Sequence, residues 1–254
     1  MSVKVLWMQI IFLVMKAPYK PWDDLFEHCA GRTWASNCSS DQSMQILKYC
    51  GKPLPSLTRE LILYVQSRKY SRLFWSRRRI SIPKAEIDKD TIEIKVYDTW
   101  KSMFTKFIGA LNWVLENENF DYIVRINSTA YVNVDNLRKF LSGGVDYAGP
   151  SNGKKFASGW GIILSKYAAK ELISYVKVGG KLSAANDDRL IGDIMKKKQI
   201  DLTLFRAADY EKEFVNKQLR LDEIVMLRVK NKSSNRIRLD SEAFEAIYKA
   251  HLAN

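Results

Sequence analysis

The feature that most constrains the fold of this chain is a regular alternation of short apolar runs with amphipathic segments through residue 205. Residues 122–126 form one such run, which is typical of a central strand. Residues 100–116 instead place Met103, Phe107 and Val114 on one face at helical spacing. Because strands and helices alternate in this way, we predict an α/β fold in which a mostly parallel sheet carries helices on both faces.

The same periodicities predict the individual elements. Strands are expected at residues 5–16, 43–49, 91–96, 122–126, 145–148, 157–164 and 199–205. Helices are expected at residues 22–29, 100–116, 134–141, 166–176 and 187–197. Residues 57–79 are ambiguous, because an apolar half at helical spacing precedes a basic and aromatic cluster between Arg68 and Arg79.

The chain changes character after residue 205. Residues 227–238 are basic and extended in pattern, and residues 241–251 form a short amphipathic helix. We therefore predict one domain over residues 1–205 and a C-terminal extension, residues 206–254, that packs on it. With 254 residues, 46% of them hydrophobic, the chain has enough apolar material for a sizeable core.

Charge and cysteine content indicate the setting in which the protein works. The formal net charge of +13 favours anionic partners such as phospholipid headgroups or acidic glycans, and no nucleic-acid-binding motif is present. The three cysteines form neither a disulfide framework nor a metal spacing, so a reducing compartment is expected. The apolar run at residues 5–15 is too short to span a bilayer. We expect a cytoplasmic protein, either soluble or peripheral to a membrane.

Three polar segments are candidates for the chemistry, since ligands of open α/β sheets bind beyond the carboxyl ends of strands. Asn127-Ser128-Thr129 ends the run at 122–126. Ser158-Gly159-Trp160-Gly161 offers two glycines that allow close approach of the backbone, and an indole on which a sugar can stack. Asp187 and Asp188 open a predicted helix, where a carboxylate can act as a general base toward a hydroxyl.

These segments, in this order, resemble the motifs of the beta-1,3-galactosyltransferase and Fringe family of glycosyltransferases. Arg32-Thr33-Trp34 is similar to the family's Arg-x-Thr-Trp element, and residues 98–106 are similar to its Asp-x-Tyr…Leu-Thr-x-Lys helix start. Each motif alone is weak, but five in order between Arg32 and Gly192 are more specific. The resemblance implies the GT-A fold, a Rossmann-like sheet that binds a nucleotide sugar.

One departure from the family's pattern concerns its metal site. The family binds a divalent metal at an Asp-x-Asp motif, where this sequence has Asn127-Ser128-Thr129. Mn²⁺ and Mg²⁺ prefer anionic oxygen ligands, so an amide and two hydroxyls would hold either ion poorly. The chain is therefore either a metal-independent enzyme, in which Arg32, Lys106 and Arg125 neutralise the donor diphosphate, or an inactive relative.

The resemblance also implies a reaction and the roles of its residues. It implies inverting transfer from a UDP-sugar to a hydroxyl of a glycan or glycolipid, as in the synthesis of surface glycans. Asp188 would be the general base, with Asp187 in the place of the family's Glu. Asn127-Ser128-Thr129 would contact the donor, and Ser158-Gly159-Trp160-Gly161 the acceptor.

Structural interpretations of the same residues remain open. Asp187 and Asp188 can cap a helix, Trp160 can belong to the core, and Lys106 and Arg32 can be solvated surface charges. The cluster between Arg68 and Arg79 is either a solvated face or a membrane-surface patch. Two other functions are also open, namely a non-catalytic module that binds a nucleotide sugar or glycan, and a basic protein that binds membranes or polyanions.

Overall fold

The computed structural model describes residues 8–18, 25–38, 41–55, 81–99, 102–150, 155–180, 186–210, 221–229 and 240–252. The ambiguous residues 57–79, and with them the basic cluster between Arg68 and Arg79, lie outside the described residues. Most of the basic, extended stretch predicted at residues 227–238 also lies outside them, since residues 230–239 are not described. The remaining predicted elements fall wholly or largely within the described residues.

The elements follow the predicted alternation closely. The strands are β1 Ile10–Met15, β2 Met44–Lys52, β3 Ala85–Asp88, β4 Thr91–Tyr97, β5 Tyr122–Asn127, β6 Ala130–Val132, β7 Tyr147–Gly149, β8 Gly161–Ser165, β9 Leu202–Leu204, β10 Ala207–Tyr210 and β11 Met226–Val229. The helices are α1 Leu25–His28, α2 Trp34–Cys38, α3 Met103–Asn117, α4 Val134–Leu141, α5 Lys166–Lys177, α6 Asp187–Lys197 and α7 Asp240–Leu252.

Eight strands form one mixed sheet in the order β3-β4-β2-β1-β5-β8-β7-β9. The pairs β4–β2, β2–β1, β1–β5 and β7–β9 are parallel, and β3 and β8 run antiparallel to their neighbours. Helices cover both faces, so the predicted α/β fold with a mostly parallel, Rossmann-like sheet is confirmed.

Strand β1 shows why its sequence is a continuous apolar run. Phe12 and Val14 point into a core cluster shared with α1, α2, α4 and α7. Ile11 and Leu13 point into a second cluster on the opposite face, shared with α3, α5 and α6. Because successive side chains of a strand alternate between faces, a strand covered on both sides needs apolar residues at every position.

Two helices begin where the sequence supplies a capping side chain. The Asn133 side chain accepts a hydrogen bond from the Asn136 backbone at the start of α4, and the Ser165 side chain accepts one from the Ala168 backbone at the start of α5. Each cap satisfies an amide that has no partner inside its own helix.

The structure differs from the predicted elements around β7 and β8. The strand predicted at residues 157–164 begins only at Gly161, and the residues directly before it form a turn in which the Gly161 amide donates to the Ser158 carbonyl at 3.1 Å. Strands β7 and β8 are antiparallel, because the connection between them carries no helix within its described residues and so does not provide the crossover of a parallel pair.

A second, three-stranded sheet in the order β10-β11-β6 was not predicted. It joins the residues just after β5 to the stretch beyond residue 205, since β11 pairs antiparallel to β6 and parallel to β10. The predicted boundary between residues 205 and 206 stays a prediction.

Within the described part of the chain, no helix has both the length and the apolar character needed to cross a bilayer.

Candidate active site

The topology identifies one edge of the large sheet as the place for a ligand. The chain runs from β1 outward to β2 and β4 and then returns to β5 on the other side of β1. The carboxyl ends of β1 and β5 therefore flank a point where the winding of the sheet reverses. A crevice opens at such a point, and it is the usual ligand site of open α/β sheets.

A cavity of about 350 Å³ lies at this point. Its lining comes from the ends of β1, β4 and β5 and from the first turn of α3, through Met15, Lys16, Ala17, Asp98, Thr99, Met103, Lys106, Asn127, Ser128 and Thr129. A space of this size can hold a nucleoside-sized ligand, because small-molecule sites begin at roughly 300 Å³.

One wall of the cavity carries a buried ion pair between Lys106 and Asp98. Lys106 Nζ lies 2.8 Å from Asp98 Oδ1, and the two side chains are 3% and 8% exposed. The Gly51 amide donates to Asp98 Oδ2 at 2.9 Å. Lys106 is thus not a solvated surface charge. It lines the cavity, and its contact with a donor stays a prediction.

The turn formed by Asn127-Ser128-Thr129 between β5 and β6 also lines the cavity. The Thr129 amide and hydroxyl both donate to Asn127 Oδ1, at 3.2 and 3.0 Å. The amide oxygen of Asn127 therefore holds the turn, in the manner of an Asx-turn.

This turn does not suit a divalent metal. Its side chains offer neutral oxygens, and the best of them, Asn127 Oδ1, already accepts two hydrogen bonds. Among the described residues, no group of three or more His, Cys, Asp and Glu side chains is arranged to hold a metal ion. Since Mn²⁺ and Mg²⁺ prefer carboxylate oxygens, the residues of this turn do not fit a divalent metal.

Arg125 lies beneath the turn, on β5, and is fully buried. Its Nη2 forms an ion pair with Asp187 Oδ2, and its Nε donates to the Tyr49 hydroxyl at 3.1 Å. Burial, the largest single effect, lowers the pKa of Arg125, but the Asp187 carboxylate and Tyr49 together outweigh it and the pKa is raised. The predicted contact of Arg125 with the donor stays a prediction, while the observed contact fixes the start of α6.

Asp188 follows Asp187 in the first turn of α6 but has different surroundings. It is half-buried, and its Oδ1 accepts a hydrogen bond from the Arg189 amide at 2.8 Å. Gly159 lies between Asp188 and Arg125. A Cβ atom added to Gly159 would be 3.4 Å from Asp188 Cβ and 3.6 Å from Arg125 Nη1. The two neighbouring carboxylates therefore differ. Asp187 forms a buried ion pair, whereas Asp188 is partly accessible.

The segment Ser158-Gly159-Trp160-Gly161 brings Asp188 to the edge of the sheet at which the cavity opens. Gly161 is paired with Ile126, so the residues before it lie beyond the end of β5, beside Asn127. Burial raises the pKa of the nearby Tyr147 to about 12, and the negative charge of Asp188 acts in the same direction. The topology thus collects all three predicted polar segments at one edge.

Trp160 and Arg32 have surroundings that bear on their predicted roles. Trp160 is 7% exposed and packs within the core cluster around Phe12, which leaves little of its ring free for a sugar. Arg32 is exposed at the end of a short 3-10 turn and is not among the described residues that line the cavity. Ser158 is buried, and its amide donates to the Pro150 carbonyl.

The sequence patterns missed Lys16 and Tyr49. Lys16 directly follows β1 and lines the cavity, so the rule that selected Asn127 at the end of β5 would also have selected it. Tyr49 lies in the middle of β2, where only the tertiary contact with Arg125 distinguishes it from other core residues.

Comparison with protein-family models finds no family that matches this chain, and comparison with curated proteins finds no matching relative. Its function is therefore inferred from the fold and from the residues of the site.

Proposed function

We propose that the protein is a glycosyltransferase that moves a sugar from a UDP-sugar to a hydroxyl of a glycan or glycolipid. The observation that carries this proposal is the position of Asp188. It is a half-buried carboxylate at the same sheet edge as a nucleoside-sized cavity, and it lies next to the turn that contains Gly159.

In this proposal the donor lies along the edge of the sheet. The nucleoside occupies the cavity near Lys16 and the Lys106–Asp98 pair, and the diphosphate passes over Asn127-Ser128-Thr129. The sugar then lies near Ser158-Gly159-Trp160-Gly161, with its anomeric carbon facing the acceptor.

The reaction would be an in-line displacement with inversion. The acceptor oxygen forms a bond to the anomeric carbon while the bond to the diphosphate breaks, and UDP leaves with the electron pair. Asp188 takes the proton of the acceptor hydroxyl. Side-chain cations stabilise the negative charge that develops on the diphosphate, which is the task a divalent metal performs in related chemistry.

A specific observation also supports a second candidate, a binding module without catalysis on the same fold. The turn of Asn127-Ser128-Thr129 provides no carboxylate, so a chain that had lost metal-dependent activity could still hold a nucleotide sugar in the cavity. Such a module would bind UDP and transfer nothing.

The proposed location is the cytoplasm, either in solution or at the surface of a membrane. Cys29, Cys38 and Cys50 are free thiols, as a reducing compartment requires. The basic cluster predicted to contact anionic lipid lies outside the described residues.

The test compares Asp188→Asn with the wild type in hydrolysis and transfer of a panel of UDP-sugars, in EDTA and in Mn²⁺. Asp193→Asn is the matched control, because it removes an exposed carboxylate from the same helix. We expect Asp188→Asn to lower turnover by about 10²–10⁴-fold with an unchanged Kd for UDP, and the control to retain full activity.

Two results would contradict these assignments. Equal turnover by Asp188→Asn and wild type would remove Asp188 as the base. Binding of UDP by the wild type without turnover of any donor would favour the binding module over the enzyme.

A further inference from the structure

Arg228 is a partly buried cation in the basic stretch predicted at residues 227–238, and it is not among the predicted site residues. It lies on β11, opposite Ala130 of β6, and is half-buried. Its Nε is fully buried and has no hydrogen-bond partner among the described residues. Buried N–H groups without an acceptor are rare in folded proteins, so each one calls for an explanation.

The register of the small sheet places Arg228 near the candidate site. Val229 donates its amide to the carbonyl of Thr129 at 2.9 Å, which puts this end of β11 beside the turn after β5. β11 runs antiparallel to β6, so Arg228 is closer to that turn than Met226 is. The Asn127-Ser128-Thr129 turn is thus flanked by the cavity on one side and by β11 on the other.

The alternation of side chains shows which face Arg228 occupies. Leu227 is paired with Tyr131, which contacts Phe244 of α7 at a ring distance of 6.0 Å. Met226 lies on the other face and contacts Gly161. A Cβ atom added to Gly161 would be only 2.9 Å from the Met226 Sδ. Arg228 shares the face of Met226, since the two are separated by one residue. It therefore faces the side on which Ser158-Gly159-Trp160-Gly161 lies.

We propose that Arg228 binds a phosphate group of the donor beside Asn127-Ser128-Thr129, an inference that rests on the proposed function. A guanidinium presents a planar set of N–H donors that matches phosphate oxygens, and a partly buried one binds more strongly than a solvated one. Nε has no accessible surface in this conformation, so the half-buried side chain must shift toward the turn for a bound phosphate to supply the acceptor that Nε lacks. Arg228 thereby contributes the positive charge that a metal would provide.

The test measures binding of UDP, uridine and pyrophosphate by calorimetry in EDTA. Variants are Arg228→Gln, Arg228→Met and Arg228→Lys. Arg206→Gln is the matched control, because Arg206 is 60% exposed and pairs with Glu223. We expect Arg228→Gln and Arg228→Met to weaken UDP and pyrophosphate binding by about 10–100-fold with uridine binding unchanged. Arg228→Lys keeps the charge but loses the fork of donors, and we expect an intermediate loss.

Thermal melting without ligand separates a binding role from a structural one. Arg228→Met removes an unpaired buried N–H and keeps the apolar stem, so it should melt no lower than the wild type. A variant that melts lower and loses uridine and UDP binding equally would show a structural role and overturn the proposal. Unchanged UDP affinity in Arg228→Gln and Arg228→Met would also overturn it.

The proposed function can fail separately from this inference. Suppose that the wild type binds pyrophosphate and transfers no sugar, and that Arg228→Gln does not bind pyrophosphate. This result would support the anion site and contradict the proposed transferase activity. If the wild type and Arg228→Gln both transfer sugar with the same KM for the donor, the anion site is contradicted and the proposed transferase activity is not. Failure of the wild type to bind either UDP or pyrophosphate overturns the anion site.

Discussion

At the scale of single residues, the site depends on two adjacent carboxylates with opposite surroundings. Asp187 is buried and forms an ion pair with Arg125, which is itself held by Tyr49. Asp188 is half-buried and accepts only a backbone hydrogen bond among those seen in the described residues. The first residue therefore stabilises the fold and orients α6, and the second is available for chemistry.

This division predicts different losses for two neighbouring substitutions. Asp187→Asn leaves the Arg125 charge buried without its partner, and we expect the free energy of unfolding to fall by roughly 3–5 kcal/mol. Asp188→Asn should change that free energy by less than about 1 kcal/mol, since its carboxylate has no buried partner. Urea unfolding of both variants measures the difference. Equal losses would show that the two carboxylates are not specialised.

At the scale of elements, a polar cluster attaches α4 to the start of β2. The Asp41 carboxylate accepts hydrogen bonds from the Ser43 amide and hydroxyl, at 2.9 and 2.6 Å, and pairs with Arg138 of α4. The hydrogen bond from the Ser43 hydroxyl, together with the charge of Arg138, lowers the pKa of Asp41 against the opposing effect of burial. The cluster therefore needs the ionised form of Asp41.

The stability that Asp41 contributes should depend on pH. Its pKa is lower in the folded chain than in the unfolded chain, so the contribution is present above the unfolded value of about 3.9 and is lost as pH falls through the folded value. We expect Asp41→Asn to lower the free energy of unfolding by about 1 kcal/mol at pH 7, because the pair with Arg138 is partly exposed. Chemical denaturation at pH 7 and at about pH 3 measures this loss.

The control for this cluster is Asp88→Asn, which removes an exposed carboxylate from the edge strand β3. It should have little effect at either pH. A loss for Asp41→Asn that is as large in acid as at pH 7 would contradict the assigned role of the ionised carboxylate.

At the scale of the whole molecule, the C-terminal extension belongs to the same core as the large sheet. Residues of β11 lie in one buried cluster with β1 and α4, and Phe244 of α7 contacts Tyr131 of β6. Residues beyond 205 pair with β6 and so support the turn between β5 and β6, which forms one wall of the cavity. The extension therefore shapes the candidate site.

Removal of this support should affect the entire fold. Phe244 is 0% exposed, and Phe244→Ala is expected to lower the free energy of unfolding by roughly 3–5 kcal/mol with a single cooperative transition. A chain that ends at residue 205 should lose cooperative melting. Glu245→Ala, which changes an exposed neighbour, is the control and should melt like the wild type. A stable, cooperatively folded 1–205 fragment would contradict this account.

Much of the fold could be predicted because its information is local. The apolar run of β1, the periodicity of α3 and the capping residue of α4 each report the surroundings of a few neighbouring residues. The hairpin of β7 and β8 and the small sheet could not be predicted in this way. The strands of the small sheet are short, and the pairing of β11 with β6 joins residues about 95 positions apart in the chain. Strands β7 and β8 are neighbours in the chain, but a local pattern does not record whether neighbouring strands pair parallel or antiparallel.

The sequence by itself determined the α/β class, the positions of the main strands and helices, and the three polar segments at the strand ends. Only the tertiary structure decided which of those residues lie together at one site and which form buried contacts that stabilise the fold. Arg125 and Asp187 form an ion pair. In the described structure, by contrast, the Asp188 carboxylate and the Arg228 guanidinium have no oppositely charged side chain as a partner. The physical reason is that charge pairing and burial depend on distances between residues far apart in sequence, which no local pattern records.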